Sequence, residues 1–203
     1  MHPIEVNDQQ NAAPKLVALL GSVRPGNYTS RVFSLVEDEA RVRGIHLDVV
    51  DPTHMELPLP GRAPSPDSDR LREMVLAADG VILVTPEYHG SYSSVMKLVI
   101  DNLGFPSSLK GKPIALLGVA AGRIGAIKAL EHLRSVASHV GGLVLPGPVS
   151  VPNVNGAFDS EGGMIDARTE ELVRGVVTGL QDYILRTECP KFTLERMMRE
   201  QAA

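Results

Sequence analysis

The stretch Leu16-Val17-Ala18-Leu19-Leu20-Gly21-Ser22-Val23-Arg24-Pro25-Gly26-Asn27-Tyr28-Thr29-Ser30 joins a continuous apolar run to a turn rich in glycine, hydroxyls and amides. Helical periodicity follows it, predicting a helix over Thr29 to Arg43. A strand that stops at such a turn and feeds a helix leaves first-turn N–H groups without intrahelical partners, at the positive end of the helix dipole. That is a place for an anion. Ser22, Asn27, Thr29 and Ser30 add side-chain donors, and Arg24 adds a charge-assisted one.

Outward from this stretch, short Val/Ile/Leu runs alternate with amphipathic segments. Lys15 to Leu20, Ile45 to Val50, Gly80 to Thr85, Pro113 to Val119 and Gly142 to Pro146 read as five strands. The further helices are expected at Ser68 to Ala78, Ser93 to Leu103, Ile124 to His139 and Asp166 to Leu185, with Thr29 or Ser30, Asp67 or Ser68, and Ser93 as N-caps. The first, third and fourth strands are apolar throughout rather than alternating, as expected when helices cover both faces of a parallel sheet. The expected fold is therefore α/β and doubly wound, with ligands outside the carboxyl ends of the strands. Gly21 to Ser30, Pro86 to Ser93 and Val119 to Gly125 follow the first, third and fourth strands. The Pro-rich loop Pro52 to Pro66 reads either as a solvent-exposed connector or as a lid or interface element.

The type of anion can be narrowed. A triphosphate loop needs Lys and Ser/Thr directly after its second glycine, whereas Asn27-Tyr28 follow Gly26. A dinucleotide turn needs Gly-x-Gly-x-x-Gly, and although Asp51 stands near the end of the second strand, that glycine triplet is missing. What remains is a loop merely rich in turn residues, or a cradle suited to one terminal monophosphate.

Gly21-Ser22-x-Arg24-x-Gly26-Asn27-Tyr28-Thr29, then Thr85-Pro86-Glu87-Tyr88-His89-Gly90-Ser91-Tyr92, then Val95-Met96-Lys97 through Ile100-Asp101 resemble the NAD(P)H-dependent FMN reductase family over about Leu16 to Leu185. This is a flavodoxin-like group of flavin, quinone, azo-dye and chromate reductases. The resemblance implies a five-stranded sheet of order 2-1-3-4-5. It makes Ser22, Arg24, Asn27 and Thr29 phosphate ligands with Tyr28 beside them. Asn27 stands where the family usually has Ser, and Thr29 where Asn is common. Pro86, Glu87, Tyr88, His89 and Gly90 would wrap the isoalloxazine ring, largely through backbone groups, with Glu87 structural rather than catalytic and His89 where the family often has Asn. Gly122 and Arg123 are implied near the ring edge that becomes negative on reduction, although Ala120-Ala121-Gly122-Arg123 matches the family loosely.

The cofactors implied are FMN, with NADPH or NADH as electron donor. Hydride transfer between stacked rings needs no protein acid or base, so no catalytic residue is expected. Ping-pong transfer to a flavin, quinone, azo compound or metal oxyanion follows. The competing reading is a flavodoxin-like electron carrier or flavin-binding module without nicotinamide turnover. Such a carrier usually has a strongly acidic docking surface, and a net charge of −4 is mild.

The 203 residues suit one domain, placed at 15–186 between a disordered tail over 1–14 and a C-terminal arm over 187–203. Scattered basic residues predict no nucleic-acid partner. Cys189, the only cysteine, excludes an internal disulfide and a Cys-rich metal site. Asp159-Ser160-Glu161-Gly162-Gly163 lacks the ligand spacing of a calcium loop, so no metal is expected there. No apolar run approaches the ~20 residues that span a bilayer, and no signal peptide is visible. A cytoplasmic enzyme with small-molecule partners is expected, and the resemblance implies a homodimer or homotetramer in which a neighbouring chain walls the flavin pocket.

Overall fold

The computed structural model describes residues 14–188. The expected tail and arm, apart from Pro14, Thr187 and Glu188, lie outside the described residues, as does Cys189. Strands β1 (Lys15–Leu20), β2 (His46–Val50), β3 (Gly80–Tyr88) and β5 (Pro113–Val119) run parallel, with β6 (Leu143–Val144) beside β5, in the order β2-β1-β3-β5-β6. The sheet is of the doubly wound, flavodoxin-like class.

The five-strand expectation needs correction, because the sheet has seven strands among the described residues. The predicted fifth strand, Gly142 to Pro146, holds only β6, which pairs with Pro113 and Ile114, and the edge is continued beyond it by β7 (Val149–Val151), which pairs with Leu117 to Val119. Pro146-Gly147-Pro148 lies between them, and two prolines remove the N–H groups that a continuous ladder needs. The third strand runs past Thr85 because Glu87 and Tyr88 fold back onto β4 (Ser91–Tyr92) in an antiparallel pair.

Helices α1 (Tyr28–Val42) and α5 (Ala167–Tyr183) cover one face of the sheet; α2 (Pro66–Ala77), α3 (Ser94–Asp101) and α4 (Ile127–His139) cover the other. Alternate β1 residues explain how one strand serves both layers. Val17 and Leu19 pack with Leu71, Val99 and Leu133, while Leu16, Ala18 and Leu20 pack with Phe33, Val36 and Val177. Leu16 to Leu20 of β1 are all buried, which is why the strand reads as apolar throughout.

Helix starts also depart from expectation. Asn27, not Thr29 or Ser30, caps α1, and Ser65, not Asp67 or Ser68, caps α2 through a reciprocal pair with Ser68. Ser93 caps α3 as expected. The fourth helix starts at Ile127 rather than Ile124, and α5 ends at Tyr183 in a wide turn over Ile184–Glu188.

Candidate functional site

Three loops leave the carboxyl ends of β1, β3 and β5 on one edge of the sheet, the first two tied together by buried hydroxyls. The Ser93 hydroxyl accepts from Met96 N–H at 3.0 Å and donates to the Gly21 carbonyl at 2.5 Å. The Thr85 hydroxyl accepts from Ser93 N–H at 3.1 Å and donates to the Pro86 carbonyl at 3.0 Å. Gly21 leaves no room for a side chain there: a Cβ would stand 3.0 Å from both Met96 Cβ and the Val84 carbonyl oxygen. The sequence identified Ser93 only as a cap, and its contact with a loop 72 residues away has no local signal.

In the first loop, Ser22 is buried and its hydroxyl has no hydrogen-bond partner among the described residues. Leaving a buried hydroxyl unpaired costs about 1–3 kcal/mol, so the group is suited to a ligand. Thr29 is buried nearby in the first turn of α1, and Arg24 is exposed. Asn27 is engaged within the loop at both polar ends: its Oδ1 accepts from Ser30 N–H and its Nδ2 donates to the Arg24 carbonyl, each at 2.8 Å. Asn27 therefore shapes the cradle, leaving the first-turn N–H groups of Tyr28 and Thr29 without hydrogen-bond partners among the described residues. The Tyr28 ring packs against the core, with its hydroxyl 3.5 Å from the Asn155 carbonyl.

Pro86 to Gly90 ends in a two-residue hairpin turn. His89 (φ 51°) and Gly90 (φ 76°) are both left-handed, the signature of a type I′ turn. Asn and Gly suit that first position best, so His89 is held there by the strand pairing on either side. Tyr88 is about half exposed, and the Ser91 hydroxyl lies 3.0 Å from His132 Nδ1. Glu87 turns away from the turn, its carboxylate accepting from Ala129 N–H at 3.0 Å.

The third loop is shaped from outside. The Gly122 carbonyl accepts from Gly125 N–H and Asn153 N–H, and Ala126 N–H donates to the Ser150 hydroxyl at 2.8 Å. Gly122 faces open space and Arg123 is exposed. Ser150, Asn153 and Asn155 belong to β7 and the loop after it, which touches both Tyr28 and Gly122. Sequence reading missed these residues, since they sit in a stretch that shows only turn composition.

The groups moved from their ordinary pKa lie outside the loops. Burial raises Glu37 and lowers Lys112, whose ammonium donates to the Ala78 and Leu76 carbonyls. The Arg41 guanidinium hydrogen bond holds Asp38 down, and the Thr169 hydroxyl, then Arg168 N–H, hold Asp166 down. Asp159 spends its carboxylate on Glu161 and Gly163 N–H in a turn, and no cluster of three or more potential metal ligands occurs among the described residues. A cavity of about 940 Å³ between α1, α5 and the β6–β7 break, lined by Arg43, Leu145 and Gly175, shares no residue with the three loops.

Known proteins resemble this chain in sequence and fold. The family described as NADPH-dependent FMN reductase matches residues 14–156. An NAD(P)H-dependent FMN reductase of Pseudomonas aeruginosa is 32% identical over 184 residues, covering 85% of this chain and 96% of that protein. An FMN-dependent NADPH-azoreductase of Staphylococcus aureus is 28% identical over 156 residues, covering 73% and 82% of the two. Among solved structures, the flavoenzyme NAD(P)H:(acceptor) oxidoreductase FerB of Paracoccus denitrificans superposes with a TM-score of 0.73 at 25% identity, over 85% of this chain and 98% of that one.

Proposed function

The chain belongs to the NADPH-dependent FMN reductase family, and from that premise we propose how its three loops divide the work. It is an NAD(P)H-dependent oxidoreductase that uses FMN. The observation that carries the assignment of the loops is the buried, unpartnered Ser22 hydroxyl beside the open first turn of α1.

Ser22, Thr29 and the Tyr28 and Thr29 N–H groups hold the FMN phosphate, while Arg24 closes over it from solvent with a charge-assisted bond. Asn27 holds the loop in shape. Pro86, Glu87, Tyr88, His89 and Gly90 form one wall of the ring site, chiefly with backbone groups, and Gly122 and Arg123 form the edge opposite. When bound, FMN supplies the redox chemistry, exchanging a hydride equivalent with NAD(P)H and electrons with the acceptor. The chain's own task is to anchor, to present one open ring face and to keep positive charge and N–H donors at the ring edge. Donor and acceptor use that face in turn, a ping-pong order, with flavins, quinones, azo compounds or metal oxyanions as acceptors.

Exposed Tyr88, Ile124 and Ile127 on the ring side support a homodimer or homotetramer in which a neighbouring chain closes the pocket. Light scattering checks this assembly. The single cysteine fits a reducing compartment, and we place the enzyme in the cytoplasm.

The purified protein should take up FMN, giving a yellow flavin spectrum, and consume NADPH or NADH when a quinone, azo dye or free flavin is present. FMN uptake without nicotinamide consumption would establish the carrier reading instead. Failure to bind FMN overturns the assignment of the loops.

A further inference from the structure

α4 is the one described α-helix whose N-cap residue makes no side-chain hydrogen bond. Asn27, Ser65, Ser93 and Asp166 each cap their own helix from the adjoining position, whereas Ala126 has no side-chain acceptor to offer. The acceptor comes instead from Glu87, 42 residues earlier in the chain, whose carboxylate takes the Ala129 N–H at 3.0 Å. Glu87 is fixed in its turn, because its backbone pairs with Tyr92 at the base of the type I′ hairpin. One carboxylate thus connects the wall formed by Pro86 to Gly90 with the helix that follows the loop holding Gly122 and Arg123.

We infer that Glu87 is a positioning residue for the flavin site: by supplying the missing cap of α4, it holds the β3 and β5 loops at one spacing before FMN arrives. The inference rests on the loop assignment proposed above. Without the bond, the first turn of α4 frays in the free protein and must be ordered when FMN binds. A cap contributes about 1 kcal/mol, which corresponds to about fivefold in affinity. Gln can still accept the Ala129 N–H through its side-chain oxygen, whereas Ala cannot.

The test measures FMN dissociation constants by flavin fluorescence titration for wild type, Glu87→Gln, Glu87→Ala and Asp166→Ala, with melting of each apoprotein alongside. Asp166 caps α5 and touches none of the three loops, so its loss reports a plain stability defect. Glu87→Ala should bind FMN about fivefold more weakly, and Glu87→Gln within twofold of wild type. Asp166→Ala should melt lower with FMN affinity unchanged. Wild-type affinity in Glu87→Ala overturns the inference, as does equal weakening in Gln and Ala, or equal weakening in Asp166→Ala. If the wild-type chain itself fails to bind FMN, it is the loop assignment that falls.

Discussion

The starts of α1 and α4 face the same edge of the sheet, yet they are closed in opposite ways. α1 is capped by Asn27, the residue beside it, and the turn before it is closed by bonds among Arg24, Asn27 and Ser30, with outside hydrogen bonds among the described residues only at Gly21, with Val84 and Ser93, and at the Tyr28 hydroxyl, with Asn155. α4 is closed by Glu87 and Ser150, from two different strands. The contrast separates two kinds of binding loop. One is written in consecutive residues and forms wherever that strand and helix form; the other exists only once three strands lie side by side.

The sharpest way to break the contrast is Gly125→Ala. Gly125 has φ +81°, and a Cβ there would collide with the Ser150 hydroxyl that holds Ala126. Left-handed backbone and overpacking together should cost about 3 kcal/mol, lowering the melting temperature and weakening FMN binding together. A change at one loop residue would then unsettle a second strand, which a self-contained loop would not do.

Arg24→Ala probes the other side and should show the reverse pattern. Arg24 is exposed and its guanidinium holds no neighbour among the described residues, so stability should stay within about 0.5 kcal/mol. Loss of a charge-assisted bond to phosphate, worth about 1.5–3 kcal/mol, should weaken FMN binding at least tenfold. Titration and melting of the same preparation check both halves.

The smallest effect concerns a locally capped helix remote from the loops. Asp166 caps α5 with its pKa held below the ordinary carboxylate value, so its contribution is present above that ordinary value and is lost as pH falls through the folded one. Asp166→Asn keeps an acceptor but removes the titration. Melting against pH should show a shallower acid limb for the variant, with no change in FMN affinity at neutral pH.

Legibility followed the same division. The layers, the parallel sheet and the first loop were readable because apolar periodicity and turn chemistry are properties of neighbouring residues, as the exact bounds of β1 and β5 show. Asn27 was singled out as a phosphate ligand, and its work as the cap of α1 was not legible, since an Asn before a helix can bind a ligand, cap or do both, and the cap bond shows only in the folded loop. The two-piece edge beside β5 had a visible cause in Pro146 and Pro148, yet the apolar run before it masked the break.

By itself, then, the sequence determined a doubly wound domain with an anion cradle after its first strand, and its matches determined the family. Tertiary structure alone decided that Ser93 grips Gly21, that Ser22 is left buried without a partner, and that Glu87 and Ser150 close α4. The reason is physical. A helix start requires an acceptor for its free N–H groups but accepts one from any part of the chain, and which side chain arrives depends on distances set only when the sheet has formed.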